Sequence, residues 1–308
     1  MRDFLAITGP TTSGKTKLSM AVAGLLDAEI VCMDSRQIYR GMNIGTDKAS
    51  SEFYERVPHH GLNIRAPNEV YSAGQFGRDA RRWITEIQER CRVPILVGGT
   101  GFFLRALTDP IFREPKMDLE RLRGLRKFLA AQPLKELERW VVRLDPDRAA
   151  LARQGGAQRL SRTIELTLLT GRPLSWWHEN GELDQEPLNG VIVVLEMDRE
   201  QLDHRINARV TRMVDAGLVD EVRGLLELGY RPEDPGMSGT GYREICANLR
   251  GEMSLDEALD QMRSQTRKYA RRQLTWFRNQ LPGDAVWVDA SRPLRVQAEE
   301  VVAAWSRG

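Results

Sequence analysis

One short stretch near the start of the chain limits its possible folds more than any other feature. It reads GPTTSGKT, follows the apolar run Phe4–Thr8, and precedes a segment in which apolar residues have helical spacing. This strand–loop–helix setting lets the pattern G-x-x-x-x-G-K-[ST] bind phosphate through backbone N–H groups and a helix N-terminus. The predicted phosphate-binding residues are Gly9, Pro10, Thr11, Thr12, Ser13, Gly14, Lys15 and Thr16.

Two side chains of this loop have chemical roles of their own. Lys15 can reach a terminal phosphate, and the Thr16 hydroxyl can coordinate Mg²⁺, which is the cofactor we expect. The pattern indicates a polyphosphate or pyrophosphate ligand, but it does not identify ATP. The sequence contains no second nucleotide motif such as N-K-x-D.

Strand and helix patterns alternate along both halves of the chain. After the first strand, further strands are predicted at Glu29–Met33, Val93–Val97, Val191–Leu195 and Ala285–Val288, with amphipathic helices between them. Such alternation predicts an α/β fold, here a P-loop NTPase-like parallel sheet flanked by helices.

The middle of the chain has a different texture, because helical periodicity dominates there and no strong strand pattern occurs. We therefore expect a mostly helical insertion domain at residues 116–189 within a catalytic core made of residues 1–115 and 190–308. The alternative is that the middle continues the core as crossover helices.

Two polar residues follow predicted strands and are candidates for catalysis. Asp34 comes directly after Glu29–Met33, and Thr100 comes shortly after Val93–Val97. In open α/β sheets the ligand lies beyond the carboxyl ends of the strands, so both residues are expected beside the phosphate loop. Asp34 has three possible roles: ligating Mg²⁺ through water, acting as a general base, or capping the next segment. Thr100 also has three possible roles: donating a hydrogen bond to a phosphate oxygen, orienting a nucleophile, or serving as a helix N-cap.

Further blocks extend across nearly the whole chain. Besides Gly9–Thr16 they are Asp34–Tyr39 (DSRQIY), Gly41–Thr46 (GMNIGT), Pro58–His60, Tyr71–Ala73, Val97–Gly101 (VGGTG), Gln158–Arg162 (QRLSR), Gly241–Glu244 (GYRE) and Thr266–Arg278 (TRKYARRQLTWFR). In content and order they resemble the tRNA dimethylallyltransferases, or isopentenyltransferases. The chain departs from the family at Gly155–Ala157, where Asn-Asp-like residues are usual, and at Thr240, where an apolar residue is usual.

The resemblance implies a reaction for the phosphate loop. Family members transfer a dimethylallyl group from its pyrophosphate to N6 of the adenosine at tRNA position 37, on the 3′ side of the anticodon. By this resemblance the loop holds the pyrophosphate, Asp34 accepts the proton from N6, and Thr100 lies at the reaction centre. Either Arg205 or Arg209 grips the diphosphate, with Arg205 preferred; the alternative is an arginine paired with Asp203 or Asp220.

The resemblance also implies a set of tRNA contacts around a base that is flipped out of its stack. Arg123 is preferred to its neighbours Arg121 and Arg126 as a contact. A basic stripe on one predicted helix consists of Arg263, Arg267 and Arg271, with Lys268 and Arg272 beside them. We expect this stripe to contact backbone phosphates; the alternative is a solvated helix face. The predicted tRNA-binding residues are Asp34, Ser35, Arg36, Gln37, Thr100, Arg123, Gln158, Arg159, Leu160, Ser161, Arg162, Gly241, Arg267 and Arg271.

Two other functions fit the phosphate loop. A small-molecule or nucleotide kinase would use ATP there, with Asp34 on Mg²⁺ and Arg205 or Arg209 as a lid arginine. A non-catalytic RNA-binding module would not depend on Asp34 for any activity. The order of the blocks outside the loop favours the transferase, with tRNA and dimethylallyl pyrophosphate as partners.

Composition bears on localisation more than on function. The net charge is only +2, so composition alone does not indicate a nucleic-acid partner. The three cysteines have neither disulfide nor zinc spacing, and no apolar run is long enough for a membrane helix. We expect a cytoplasmic monomer that does not associate with membranes.

Overall fold

The structure is a computed structural model that describes residues 2–49, 51–109, 112–113, 115–183 and 185–307. The chain forms two compact units, a core unit of Met1–Asp109 with Pro187–Gly308 and a helical unit of Pro110–Glu186. The helical unit ends before the sequence-based limit of residue 189. The reason is that Leu188 N donates to Leu107 O (2.8 Å) and Asn189 N donates to the Asp3 carboxylate (2.7 Å), both within the core unit.

The core unit contains a sheet of six parallel strands, which confirms the predicted fold class. The strands are β1 Phe4–Thr8, β2 Ala28–Cys32, β3 His59–His60, β4 Val93–Val97, β5 Gly190–Glu196 and β6 Val286–Asp289. Their order in the sheet is β3-β2-β4-β1-β5-β6. The pattern did not predict β3, because a strand of two residues is too short to show periodicity.

Helices cover both faces of the sheet and make up the helical unit. In chain order they are α1 Lys15–Leu26, α2 Ser51–Arg56, α3 Ala73–Glu89 and α4 Gly101–Thr108; in the helical unit α5 Leu119–Ala130, α6 Leu134–Leu144, α7 Ala149–Gln154, α8 Gly156–Thr170 and α9 Leu174–Asn180; then α10 Arg199–Asp215, α11 Leu218–Glu227, α12 Tyr242–Leu249, α13 Leu255–Gln280 and α14 Leu294–Ser306. No helix in these described ranges is both long enough and apolar enough to cross a bilayer.

Local sequence signals explain where several helices begin and end. The spacing of Ser254 and Glu257 predicts a capping box, and this box starts α13: Glu257 N donates to Ser254 Oγ, and Ser254 N donates to the Glu257 carboxylate. The helical spacing of apolar residues from Leu202 onward predicts one long helix with a stop near Gly229. The structure instead has two helices, α10 and α11, because Gly217 adopts a left-handed φ of 96° between them.

Alternation along each strand divides the core between the two faces of the sheet. Side chains of one parity, such as Val31 and Leu96, pack with α3, α4, α12 and α13. Side chains of the other parity, such as Ile7 and Ile95, pack with α1 and α14. Because the strands are covered on both faces, they are nearly continuous apolar runs. This rigid double-faced packing supports the loops that follow β1, β2 and β4.

The helical unit has its own apolar core. Leu129, Leu137, Val141, Leu160 and Ile164 are buried together where α5, α6 and α8 meet. A paired charge ties α5 to α8, because the Arg126 guanidinium contacts both oxygens of buried Glu165, at 3.1 Å each. The unit thus folds around side chains of its own helices.

Candidate active site

The strand order brings three predicted site elements to one edge of the sheet. The phosphate loop follows β1, Asp34 follows β2, and Thr100 follows β4, which lies between the other two strands. Backbone bonds continue past the strand ends, since Gly98 N donates to Ile7 O (3.3 Å) and Thr100 N donates to Met33 O (3.4 Å). The three elements therefore adjoin one another, as expected for a ligand site at the carboxyl ends of parallel strands.

The phosphate loop has a backbone conformation that depends on its two glycines. Gly9 has φ 142°, and a Cβ atom there would lie 2.6 Å from Leu195 O. Gly14 has φ 101° and precedes α1, so the helix N-terminus faces the loop. Both values lie in the region that side chains rarely tolerate, which explains why glycine is required at each position.

The donors of the loop are arranged for an anion. Lys15 Nζ folds back onto Gly9 O (3.0 Å) and Pro10 O (2.7 Å). Burial lowers the pKa of Lys15 to about 8, an effect that the nearby Asp34 carboxylate partly opposes. Ser13 Oγ is buried and has no hydrogen-bond partner within the described part of the chain. An unpaired buried hydroxyl near a partly buried lysine and a helix N-terminus is typical of a site that a phosphate completes.

Asp34 serves as a local cap and still faces the cleft. Its Oδ1 accepts a hydrogen bond from Arg36 N at 2.8 Å, so the capping interpretation is correct for one oxygen. Among the described residues, no hydrogen bond is made to Oδ2, and Asp34 lines a cleft of about 320 Å³. One carboxylate oxygen is therefore held by the backbone, and the other can accept a proton.

Thr100 occupies the N-cap position of α4, but its side chain makes no capping hydrogen bond. Instead Thr100 Oγ1 accepts a hydrogen bond from Ser35 N at 3.0 Å and lies 3.4 Å from Ser35 Oγ. The hydroxyl thus joins the end of β4 to the segment that carries Asp34. This contact places Thr100 beside the candidate base.

Polar and apolar side chains from distant parts of the core unit line the cleft. They are Thr11, Asp34, Ser35, Arg36, Gly45, Thr46, Arg209, Val210, Met213, Ser238, Thr240, Met262, Thr266, Tyr269 and Arg272. Burial and the Asp34 charge raise the pKa of Tyr269 to about 12, so its hydroxyl stays protonated. A mixed lining of this kind can enclose a planar base and hydrogen-bond its edges.

Helix α13 contributes a residue that the sequence analysis missed. Gln273 Oε1 accepts from Thr11 N at 2.9 Å, and Gln273 Nε2 donates to Gly99 O at 2.8 Å. One amide therefore links the phosphate loop to the segment before Thr100. The only sequence signal was a polar side chain between two buried positions of the helix, Ala270 and Phe277.

The glycines of VGGTG are explained by close packing. A Cβ at Gly98 would lie 1.9 Å from Met33 O, and one at Gly99 would lie 2.2 Å from the Gln273 amide nitrogen. A Cβ at Gly101 would lie 2.4 Å from the Trp276 ring. The loop after β4 therefore sits directly against β2 and α13, with no room for side chains.

The segment that reads GMNIGT is held by a carboxylate far along the chain. Glu221 accepts hydrogen bonds from Asn43 N, Ile44 N and Gly45 N at 2.7–3.0 Å. Tyr242 donates its hydroxyl to the same carboxylate at 2.6 Å, and burial together with the Glu221 charge raises the pKa of that hydroxyl. This clamp fixes the wall of the cleft formed by Gly45 and Thr46.

Both predicted diphosphate-binding arginines flank the loop. Arg209 Nη1 donates to Thr11 Oγ1 at 2.5 Å, and Arg209 Nε lies 3.4 Å from the Asp47 carboxylate. Arg205 Nη1 lies 3.9 Å from where a Cβ of Gly14 would be. The partners considered from sequence are engaged elsewhere: Asp203 contacts Arg271 at 3.2 Å, and Asp220 pairs with Arg223.

Other predicted tRNA contacts in the core unit already have protein partners. Arg36 donates to Pro235 O (2.7 Å), and Gln37 Nε2 donates to Thr46 O (3.1 Å). Gly241 is buried, and its N–H donates to the Glu244 carboxylate (2.7 Å). On α13, Arg267 donates to Asn207 Oδ1 (2.7 Å), and Arg271 pairs with Asp203. These two arginines of α13 thus contact acceptors on α10.

The predicted tRNA-binding residues of the helical unit differ in their exposure to solvent. Gln158 and Arg123 are exposed, whereas Arg126, the rival of Arg123, is engaged by Glu165. Leu160 is only 1% exposed because it belongs to the core of the unit, so it is corrected from a tRNA contact to a packing residue. The other three residues of the block remain candidates: Arg159 donates to Leu151 O (3.1 Å), Arg162 lies 3.5 Å from Glu165, and Ser161 is partly exposed.

Comparison with known proteins agrees with this arrangement. A model of the IPP transferase family matches residues 37–280. The tRNA dimethylallyltransferase of Geobacter metallireducens is 42% identical over 286 residues, which cover 93% of this chain and 92% of that protein. The tRNA dimethylallyltransferase of Geobacillus thermodenitrificans is 40% identical over 301 residues, which cover 97% and 94%.

Solved structures show the same similarity in three dimensions. The tRNA isopentenylpyrophosphate transferase of Bacillus halodurans has a TM-score of 0.72 at 34% identity, covering 99% of this chain and 97% of that chain. A eukaryotic dimethylallyltransferase acting on tRNA has a TM-score of 0.79 at 26% identity, covering 94% and 74%. Both the sequence and the fold therefore lead to one conclusion: the chain belongs to the IPP transferase family.

Proposed function

We propose that this chain transfers a dimethylallyl group from dimethylallyl pyrophosphate to N6 of the adenosine at tRNA position 37 and releases pyrophosphate. The observation that carries the proposal is the junction of the phosphate loop, Thr100 and Asp34, which lines the cleft, at one edge of the sheet. The names of the similar proteins, tRNA dimethylallyltransferase among them, support it.

The loop side chains stabilise the leaving group. As the bond between C1 of the dimethylallyl group and the bridging oxygen breaks, its electron pair stays on the pyrophosphate. Lys15, Arg209 and Arg205 neutralise the growing charge, and the Ser13 hydroxyl donates to a phosphate oxygen. Such preorganised donors are worth more in the transition state than in the ground state.

Mg²⁺ fits this site through its oxygen chemistry. Thr16 is exposed at the start of α1, and its hydroxyl is a hard oxygen donor beside the phosphate position. Among the described residues, no group of three or more His, Cys, Asp or Glu side chains could hold a metal ion alone. We therefore expect diphosphate oxygens and water to complete the coordination, and bound Mg²⁺ to neutralise diphosphate charge.

Asp34 performs the proton step. The N6 lone pair of adenine is delocalised into the ring, so the nitrogen becomes acidic only as the new bond to C1 forms. Asp34 Oδ2 accepts that proton while Arg36 N holds Oδ1 in place. Thr100, which is held against Ser35, orients the reacting groups.

The RNA must present its base to this cleft. The adenosine next to the anticodon flips out of its stack into the space lined by Asp34, Ser35 and Arg36. Arg123 and the block Gln158–Arg162, except for the buried Leu160, contact the anticodon region from the helical unit. Arg267 and Arg271 exchange their α10 partners for backbone phosphates. The enzyme acts as a cytoplasmic monomer without a membrane.

The test uses radiolabelled dimethylallyl pyrophosphate, Mg²⁺ and unmodified tRNA that has adenosine beside the anticodon. We expect label in the RNA without ATP, and a loss of at least about a hundredfold in rate for Asp34→Asn, since general bases contribute about that much or more. Asp220→Asn removes a charge from an exposed ion pair on α11 and serves as the matched control.

The outcomes separate the candidate functions. Label that enters equally with Asp34→Asn would remove Asp34 from the base role and leave the transferase. Phosphate release from ATP in the absence of RNA, with no label transfer, would instead identify a kinase.

A further inference from the structure

Arg209 has two partners within the protein. Its Nη1 donates to the Thr11 hydroxyl of the phosphate loop, and its Nε lies 3.4 Å from Asp47 Oδ2. The Arg209 side chain is 15% exposed, whereas the Asp47 side chain is 57% exposed. A carboxylate on the solvent side thus holds a largely buried arginine that lies against the loop.

The other donors of the loop make their hydrogen bonds to neutral acceptors. Lys15 contacts two backbone carbonyls, and Thr11 N contacts the Gln273 amide. An incoming phosphate can displace such acceptors without charge repulsion. Asp47 is different because its full negative charge repels a diphosphate and competes with it for the same guanidinium.

The position of Asp47 is set by the clamped segment before it. Asp47 N donates to Ile44 O (3.0 Å), and Asp47 O accepts from Gln37 Nε2 (3.3 Å). Its φ of 55° is left-handed, a conformation that Asp and Asn tolerate better than most residues. The backbone that carries this carboxylate is therefore held in place, and the carboxylate lies beside Arg209.

We propose that Asp47 is an internal counter-ion that competes with the diphosphate for Arg209, weakens diphosphate binding and so promotes pyrophosphate release. The inference rests on the proposed function, because it takes the loop as the diphosphate site. When the diphosphate binds, Arg209 exchanges the Asp47 carboxylate for phosphate oxygens, which its fork can contact in pairs. When the product leaves, Asp47 takes Arg209 back.

The test measures inorganic pyrophosphate binding by calorimetry, in EDTA and again with Mg²⁺. The proteins compared are the wild type and the variants Asp47→Asn, Asp220→Asn and Lys15→Ala. Asparagine keeps the left-handed backbone at residue 47 and removes only the charge. We expect Asp47→Asn to bind pyrophosphate at least about threefold more tightly in EDTA, since screened ion pairs have effects of this size.

The other two variants are controls for the change in charge and for the binding site. Asp220→Asn has the same change in net charge at a distant ion pair, so it should bind as the wild type does. Lys15→Ala should lose binding, which tests the diphosphate site itself.

Several results would overturn the inference. Equal or weaker binding by Asp47→Asn, with binding lost in Lys15→Ala, would mean that Asp47 only positions Arg209, and the proposed function would stand. Weaker binding by Asp47→Asn only with Mg²⁺ would make Asp47 a metal ligand. Absence of binding by the wild type, or full binding by Lys15→Ala, would remove the proposed diphosphate site together with the inference.

Discussion

Lys15 illustrates how burial at one residue makes ligand binding depend on pH. Its pKa of about 8 lies below the usual value, so the folded protein disfavours the charged form. The sign follows directly: the charged lysine is a full cost to stability below about pH 8, and that cost is relieved progressively as pH rises from about 8 to the ordinary value of 10.5. A bound diphosphate favours the charged form again.

We therefore expect the affinity for dimethylallyl pyrophosphate to fall roughly tenfold between about pH 7.5 and about pH 9.5, as Lys15 loses its proton. Calorimetric titration across that range measures the change. The Lys15→Arg variant is the control, because arginine stays charged throughout. Parallel pH profiles for the two proteins would show that another group titrates.

Gln273 has two hydrogen bonds that connect the phosphate loop to the segment before Thr100. Gln273→Met keeps the size of the side chain but leaves Thr11 N and Gly99 O without this partner. We expect the free energy of unfolding to fall by about 1–3 kcal/mol and kcat to fall more than KM changes, because loop and Thr100 lose their common support.

The control for this prediction is Gln297→Met. Gln297 is also 7% exposed and donates to Ala290 O and Arg292 O, away from the cleft. We expect a similar loss of stability in urea denaturation with an unchanged kcat. Equal losses of kcat in both variants would mean that Gln273 acts only through stability.

At the scale of elements, α13 does two things at once. One side of this helix presents Thr266, Tyr269 and Gln273 to the cleft or loop. Another side carries Arg267 and Arg271, which contact α10. Helical geometry separates the two sets because positions three, four and seven apart share a face. The sequence pattern drew attention to the basic residues of the second side but gave no indication of the cleft residues of the first.

The contact between α13 and the start of α4 is open to a direct test. We expect Gly101→Ala to destabilise the protein by about 1–3 kcal/mol, because the new Cβ would lie 2.4 Å from the Trp276 ring. Gly124→Ala is the matched control on α5, where a Cβ meets nothing within 4 Å, and it should stabilise by about 0.5–1 kcal/mol. Thermal unfolding compares the two; the same sign for both would contradict the packing argument.

At the scale of the whole molecule, acid stability depends on a buried charge network at the opposite end of the sheet from the cleft. Glu29 is 2% exposed near the start of β2 and contacts Arg90, Arg92 and His60. The hydrogen bonds from Arg90 are the main reason that its pKa is lowered to about 2. The network ties β2 and β3 to the connection between α3 and β4.

Because the pKa of Glu29 is lower in the folded state, its stabilisation is complete above its ordinary value of 4.5 and is lost as pH falls towards about 2. We expect a loss on the order of 1–2 kcal/mol from this group, discounted for the exposed arginines. Urea denaturation at pH 5 and pH 3 measures it. Glu29→Gln should flatten this pH dependence, whereas Glu52→Gln, at an exposed position, should not.

Features that depend on residues close together in the chain could be predicted from the sequence. The phosphate loop, the strands β1 and β4 and the capping box of α13 match their predicted positions, because each depends on residues within a few positions of one another. Asp34 and Thr100 were also predicted to adjoin the loop, since a parallel sheet aligns its strand ends. Their chemical roles remain predictions.

Only the tertiary structure decided which distant residues support the site at the carboxyl ends of the strands. Gln273 reaches Thr11 across 262 residues, Glu221 reaches Gly45 across 176, and Arg209 meets Thr11 across 198. No local pattern links residues so far apart, because their contact depends on how α10, α11 and α13 pack on the sheet. The sequence alone determined the phosphate loop and its strands; the packing of those helices decided which side chains support the loop and restrain its charges.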